Sequence, residues 1–341
     1  MNGVYLAISM TSNCNLKCFY CKPTGESISG ELGTISYDEF CDIVSAAYHK
    51  GIDKFRLTGG ECTIVPYFGQ AVEFIMNMGT DTRINVCSNG CRLKEYIHIL
   101  SKYKERINVR ISVDSICEYL NGYHFPKWLS PETIDCTKSL LESGIRTRYN
   151  IVITSYNIEQ VKELVEKSLK LGVDIKLLDL YVQDIYLGGK GTSQEFWDNT
   201  YQSLSQFKKW LEGISDKFVE NYWDDSAYGI PMNAYFVGNQ SIVLKDSSKG
   251  AHFSKFCISK CNKYTKCQEG IYVPFVSVGS LLHINGCYNE SLRWNLKNKN
   301  IEEMENAFSE MLKLFDELVV KTESAVNFSG HHTYVGDENE C

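Results

Sequence analysis

No stretch of the 341 residues approaches the roughly 18 consecutive apolar positions that a membrane-spanning helix needs. The N-terminus, Met1-Asn2-Gly3-Val4, lacks the basic segment and apolar run of a secretory signal. Prolines number only six, and an apolar share of 43% against 23% charged residues excludes a disordered or collagen-like chain. Positive charge is not in excess either. Lys and Arg total 35 against 42 Asp and Glu, a net charge of −7, so no track for nucleic-acid phosphates is expected. No repeat period or low-complexity tract is present. What stands out is 14 cysteines, too sparse for a disulfide scaffold at this length. A cytoplasmic location with reduced thiols is expected, which makes clustered cysteines candidate metal ligands.

Residues 4–181 alternate strand-like and helix-like patterns. Strands are expected at Val4–Met10, Lys54–Thr58, Arg83–Ser88, Asn108–Val113, Thr147–Ile153 and Ile175–Leu180. Between them the spacing predicts a helix after the capping box Ser36-Tyr37-Asp38-Glu39, with Phe40, Ile43, Val44, Ala47 and Tyr48 inward and Gly51 as its stop. Further helices are expected at Val65–Met78, Leu93–Lys104 and Pro131–Ser143, and one capped by Asn157 with Gln160 three residues on. Six βα units in series argue an α/β fold with a parallel sheet, doubly wound or barrel-like. The pattern then breaks. A polar helix around Gln194–Ile214 is followed by irregular sequence to residue 256, a cysteine-bearing stretch at 257–290, and a last helix capped by Asn300 with Ile301, Met304, Phe308, Met311 and Leu312 inward. The tail Ser329–Cys341 is polar and expected to be mobile.

Cys14-Asn15-Leu16-Lys17-Cys18-Phe19-Tyr20-Cys21 directly follows the first strand. Three thiolates in one tight loop are one short of the four that a [4Fe–4S] cluster normally receives, which would leave one iron open. A zinc knuckle completed by a distant Cys or His is the competing reading of this spacing.

The C-x3-C-x2-C run with Tyr20 before its last cysteine resembles the radical S-adenosylmethionine (SAM) superfamily. Thr58-Gly59-Gly60-Glu61 at the end of strand two, Ser88-Asn89 at the end of strand three and Ser112-Val113-Asp114 at the end of strand four resemble that superfamily's SAM-contacting motifs, and Tyr181 after strand six falls at another. The resemblance implies a partial (β/α)6 TIM-like barrel over residues 1–185. Its site lies at the strand C-terminal ends, where Cys14, Cys18 and Cys21 hold a [4Fe–4S] cluster that binds SAM. It also implies reductive cleavage of SAM to a 5′-deoxyadenosyl radical that abstracts hydrogen from a substrate, with electrons from a flavodoxin- or ferredoxin-type donor.

A second group, Cys257, Cys261, Cys267 and Cys287, follows the barrel, with a hairpin expected between the last two. It resembles the twitch-like auxiliary-cluster region of the branch that includes the GTP 3′,8-cyclases of molybdenum-cofactor synthesis and the SPASM enzymes. Residues 186–325 are therefore expected to form a substrate-capping and auxiliary [4Fe–4S] region, and 326–341 a polar tail. Structural zinc is the alternative for four cysteines. Lys54-Phe55-Arg56 and Arg148 fall where that family binds substrate phosphate, so an anionic, nucleotide-like small molecule is expected. Departures at Ala7, Lys263, Thr265 and the C-terminal Cys341 argue against GTP itself. A ribosomally made peptide is the competing substrate, and a non-catalytic zinc module the competing function.

Overall fold

The structure, a computed structural model, describes residues 5–21, 33–180, 199–222, 232–245, 275–277, 282–285, 293–296, 300–322, 326–328 and 332–334. Strands β1 (Leu6–Ser9), β2 (Lys54–Thr58), β3 (Arg83–Ser88), β4 (Ile107–Ser112), β5 (Arg146–Ile153) and β6 (Asp174–Asp179) lie side by side, parallel and in chain order. Helical crossovers join them: α1 (Tyr37–His49), α2 (Phe68–Met78), α3 (Ile97–Leu100), α4 (Pro131–Glu142) and α5 (Val161–Leu171). The two faces of the sheet differ sharply. Phe55, Leu57, Val109, Ile111, Tyr149, Ile151, Ile175 and Leu177 belong to the buried core, together with Phe40, Val72, Leu140 and Leu164 of the helices. The alternate positions, pleated to the other face, carry Arg56, Asn85, Arg110, Arg148, Asn150 and Lys176. A flat sheet would hold β2 and β6 four strand spacings, about 19 Å, apart. Instead Arg56 lies close enough to Lys176 to weaken its hold on a proton. The sheet is therefore rolled with its polar face inward, as a partial (β/α)6 barrel.

Both edges of the barrel are extended. At the β6 edge come β7 (Lys217–Tyr222), β8 (Met232–Val237) and β9 (Gln240–Lys245); β9 runs parallel to β6, and the other two follow antiparallel. At the β1 edge β10 (Phe275–Ser277) runs parallel to β1, followed antiparallel by β11 (Leu282–Asn285) and β12 (Arg293–Leu296). Two further helices are α6 (Lys208–Ile214) and α7 (Ile301–Thr322), and α7 packs Phe308 and Met311 into the same core as α1. No helix among the described residues is long and apolar enough to cross a membrane.

The capping box at Ser36 and Glu39 is present, and Gly51 ends its helix at φ +87°. Several expectations need correction. The second helix starts at Phe68, because Pro66 forces Val65 into an extended conformation (ψ 126°) after a short 3₁₀ turn at Cys62–Ile64. The expected helix Leu93–Lys104 is broken into 3₁₀, α and 3₁₀ turns; Tyr96 sits edge-on against Phe68 and bonds to Thr63 O, so packing sets its spacing. Asn157 does not cap a helix. Its side chain ties Thr154 to Asp114 O and Val152 O, while Gln160 Oε1 accepts the Ile116 N–H, so both serve the loop after β4. Within the expected helix Gln194–Ile214, the described part is interrupted by the Thr154–Tyr201 bridge and restarts beyond Ser203. The stretch expected to be irregular holds β7, β8 and β9; Val237-Gly238-Asn239-Gln240, between two alternating runs, is the hairpin signal that was there to be read. Ile301 is 39% exposed, because the first turn of α7 overhangs the packed face. Val326–Phe328 pairs with His332–Tyr334 inside the expected tail. The boundary expected near residue 185 lies outside the described residues.

Phe308→Ala removes a fully buried ring from the α7–core contact and is expected to destabilise the chain by about 3–5 kcal/mol. Ile301→Ala, on the overhanging turn, should stay within about 0.5 kcal/mol. Denaturant midpoints of the two variants against wild type check the contrast.

Candidate active site

The chain leaving β1 is tied to the end of β2 through the main chain. The Met10 N–H donates to Thr58 O at 2.9 Å, Gly60 N–H to Thr11 O at 2.6 Å, and Glu61 N–H to Asn13 O at 2.9 Å. Only glycine allows this approach. Gly59 has φ +149°, and a Cβ there would lie 2.4 Å from Thr11 O; one on Gly60 would lie 2.1 Å from Asn13 O. Thr58-Gly59-Gly60 is thus a dock for the segment that delivers Cys14.

Glu61 fastens this dock to β3. Its buried carboxylate accepts the Thr63 N–H (3.1 Å), the Thr63 hydroxyl (2.6 Å) and the Ser88 hydroxyl (2.7 Å) on Oε1, and the Asn89 N–H (2.6 Å) on Oε2. Asn89 Nδ2 in turn donates to Asn15 Oδ1 at 2.8 Å and to Cys14 Sγ at 3.8 Å, and the Leu16 N–H reaches the same sulfur at 3.4 Å.

The other end of the loop is held by β4 and β5. Cys21 N–H closes a turn onto Cys18 O at 3.0 Å. Within that turn the Tyr20 hydroxyl donates to Asp114 Oδ2, while Asp114 Oδ1 accepts the Val152 N–H at 2.9 Å. Lys127 Nζ donates to the Tyr20 oxygen at 3.2 Å. Phe19 packs edge-on against Phe125 and Tyr156 and tilted against Tyr123. Tyr123 belongs to a short hairpin, Tyr119–Leu120 with Tyr123–His124, whose Asn121-Gly122 turn has φ +52° and +80°. Ser112, at the end of β4, lies in register beside Asn150 of β5.

Burial pushes the Cys18 thiol up to about 12; Lys127 pulls the other way, and Asp114, Cys21 and Cys14 add to the rise. The three thiols therefore share one neighbourhood, and none of them is in a disulfide. A four-iron cluster takes one thiolate per iron, and a loop that carries three cysteines and is clamped at both its ends fits that donor set. Loading it must displace the Cys18 proton. Burial also raises the Asp114 carboxyl, against Lys127, the Tyr20 hydroxyl and the Val152 N–H. Tyr20 stays a phenol, held well above its ordinary range by burial and by Asp114.

The profile of the radical SAM superfamily matches residues 8–203. The chain belongs to the radical SAM superfamily. The GTP 3′,8-cyclase of Nautilia profundicola is 24% identical over 273 residues, 79% of this chain and 80% of that protein. That of Campylobacter curvus is 29% identical over 277 residues, 79% of each. The antilisterial bacteriocin subtilosin biosynthesis protein AlbA of Bacillus subtilis is 27% identical over 171 residues, 50% of this chain and 37% of that protein. Among solved structures, anSMEcpe with bound AdoMet and a peptide superposes with a TM-score of 0.55 at 16% identity, over 91% of this chain and 82% of that one; the likeness is one of fold.

This radical SAM enzyme takes a [4Fe–4S] cluster and SAM as its cofactors. The structure brings Cys14, Cys18, Cys21, Tyr20, Gly59, Gly60, Glu61, Ser88, Asn89 and Asp114 together at the strand ends. Glu61 and Asp114 spend their carboxylates largely on protein donors, which makes each a clasp of the site. Lys54, Arg56 and Arg148 lie on β2 and β5, with Arg56 and Arg148 on the polar face. Tyr181, Cys257, Cys261, Cys267 and Cys287 lie outside the described residues, but the hairpin expected between the last two cysteines is present as β10–β11, with Val276 opposite Ile284. Sequence reading missed Lys127, which no motif announces. It also missed Arg110, Lys176 and Lys245, although the first two sit at the alternate, inward positions of their strands.

Gly60→Ala is expected to displace the Cys14 loop and lose most cluster iron after anaerobic reconstitution, whereas Gly213→Ala, with open space around its Cβ, should load normally. Iron and sulfide counts separate the two. Cys18→Ala should form no 5′-deoxyadenosine from SAM under dithionite.

Proposed function

We propose that this radical SAM enzyme acts on an anionic, nucleotide-like small molecule whose charged group enters the barrel interior. The observation that carries the reading is the gathering of basic side chains there. Arg110 stands in register beside Arg148, Lys176 beside Asn150, and Lys245, at the end of β9, beside Leu178. Burial pushes the Lys176 ammonium well below its ordinary range, and Lys245, Arg110, Arg56 and Arg148 push it further. One Arg148 nitrogen lies 4.0 Å from Asp174, a carboxylate that also takes Arg146. Clustered basic groups repel one another, and the cluster becomes an asset when an anion is received.

Held by Cys14, Cys18 and Cys21, a four-iron cluster would supply the electron for reductive cleavage of SAM, the chemistry that lets a hydrogen atom be taken from an unreactive substrate carbon. The chain's own residues hold the cofactors at the strand ends and receive the substrate's charged end on the basic face of the barrel. Cys257, Cys261, Cys267 and Cys287 are assigned to an auxiliary [4Fe–4S] cluster. This assignment is supported by the β10–β11 hairpin, which pairs with β1, the strand that leads to Cys14. The relationship to AlbA favours the second reading, a ribosomally made peptide as substrate.

Two four-iron clusters give about eight irons per chain. Transfer of deuterium into 5′-deoxyadenosine from a labelled phosphorylated small molecule, and not from labelled peptide, is the expected outcome; transfer from peptide alone overturns the small-molecule reading. Inorganic triphosphate should bind, and Arg148→Met should weaken that binding at least tenfold. A bound anion restores Lys176 toward its ordinary range, so binding takes up a proton and weakens as pH rises through the window between the two values. Calorimetry in buffers of different ionisation enthalpy reads the uptake. Its absence in wild type, with Lys176→Met binding unchanged, would refute the pocket.

A further inference from the structure

Lys127 lies on the loop between the Asn121-Gly122 hairpin and α4, with no part in the barrel sheet. Its carbonyl accepts the Asp114 N–H at 2.6 Å. Its side chain turns back, half-buried, so that Nζ lies 3.2 Å from the Tyr20 oxygen and 5.4 Å from the centre of the Tyr20 ring. Tyr20 stands between Cys18 and Cys21, and its hydroxyl is anchored to Asp114, which β5 holds through Val152. The ammonium is thereby fixed from two sides beside the cysteine turn. It is close enough for the Cys18, Cys21 and Cys14 sulfurs all to act on it, and for it to act on Cys18. The other ionisable groups acting on Cys18 are Asp114 and the two neighbouring cysteines, all of negative sign when ionised.

We propose that Lys127 is a positioning residue for the SAM-binding cluster: it holds Tyr20 in place and, as a fixed positive charge beside the thiolate ligands, makes the cluster easier to reduce. The inference rests on Cys14, Cys18 and Cys21 holding that cluster. The step concerned is the one-electron reduction of [4Fe–4S]2+ to [4Fe–4S]+ by a flavodoxin- or ferredoxin-type donor, or by dithionite in vitro. No bond is made or broken in it, and the cluster's net charge becomes one unit more negative. Local charge and hydrogen bonding at the sulfurs are what a protein uses to set such a potential. A fixed cation opposite the ligands favours the more negative, reduced state.

The test is an EPR-monitored redox titration of the full, reconstituted chain, following the signal that changes when SAM is added, because that signal belongs to this cluster and not to an auxiliary one. Lys127→Gln keeps a donor for the Tyr20 oxygen without the charge, Lys127→Met removes both, and Lys127→Arg keeps the charge. The expected result is a midpoint shifted to more negative potential in the Gln and Met variants and near wild type in the Arg variant, at equal iron and sulfide content. Loss of the cluster from both neutral variants with retention in Arg is the same charge requirement read as cluster retention, and supports the proposal. An unchanged midpoint in Lys127→Gln overturns it, as does cluster loss in all three variants, which would mark a role in shape alone. A wild-type chain with no SAM-sensitive signal would instead remove the cluster assignment itself.

Discussion

The site depends on a contact with no clearance. The backbone of Thr11–Asn13 lies against Gly59 and Gly60 so closely that a single added methyl would meet a carbonyl oxygen at 2.4 or 2.1 Å. Everything the cysteine loop does follows from that contact. It sets where the loop leaves β1 and lets the Glu61 carboxylate reach over to β3. Asn89 then stands close enough to send a hydrogen bond to the Cys14 sulfur. The links at the root of the loop, Gly60 to Thr11, Glu61 to Asn13 and Asn89 to Glu61, are short and either main-chain or charge-assisted, which makes the geometry stiff. A loop that must hold three thiolates in fixed relation gains from being clamped at its root, before the metal contributes anything.

The electrostatics of the barrel are layered. At the strand ends the ionisable groups are chiefly acidic or sulfur-bearing: Glu61, Asp114 and the three cysteines, answered by Lys127. Deeper in the rolled sheet the sign reverses, with Arg56, Arg110, Arg148, Lys176 and Lys245 near one another. A substrate with one negatively charged end would therefore be oriented along the barrel axis, its charged end inward and the rest toward the cofactor end. Orientation of this kind, more than raw affinity, is what a radical reaction at one carbon requires of its protein.

Much of this could be read from the sequence, because the physics that fixes it is local. The period of apolar residues gives the six βα units, whereas the Gly59-Gly60 pair is legible only through its resemblance to a SAM-contacting motif, and its contact with Thr11–Asn13 needs the fold. A capping box such as Ser36 with Glu39 needs no tertiary partner, so it holds. Where tertiary packing competes, local reading fails. Asn157 and Gln160 have the spacing of a helix start, yet Asp114 and the β4 loop claim their side chains. The 93–104 segment has helical composition, yet Tyr96 must meet Phe68. Lys127 could not have been singled out, since its role exists only once residues 20, 114 and 127 are brought into contact by the fold.

The two-sided extension of the sheet bears on how the chain comes to be folded. Ala7 pairs with Phe275, so β1 completes its hydrogen bonding only after about 270 further residues have been synthesised. Until then β1 is an open, parallel, largely apolar edge, the kind of surface that recruits other strands. The remaining barrel strands pair with near neighbours in the chain and can assemble during elongation. An intermediate with β2 to β6 in place would expose β6 until β9 is made and β1 until β10 follows, so exposure to chaperones or aggregation would concentrate at these two edges and last longest at β1.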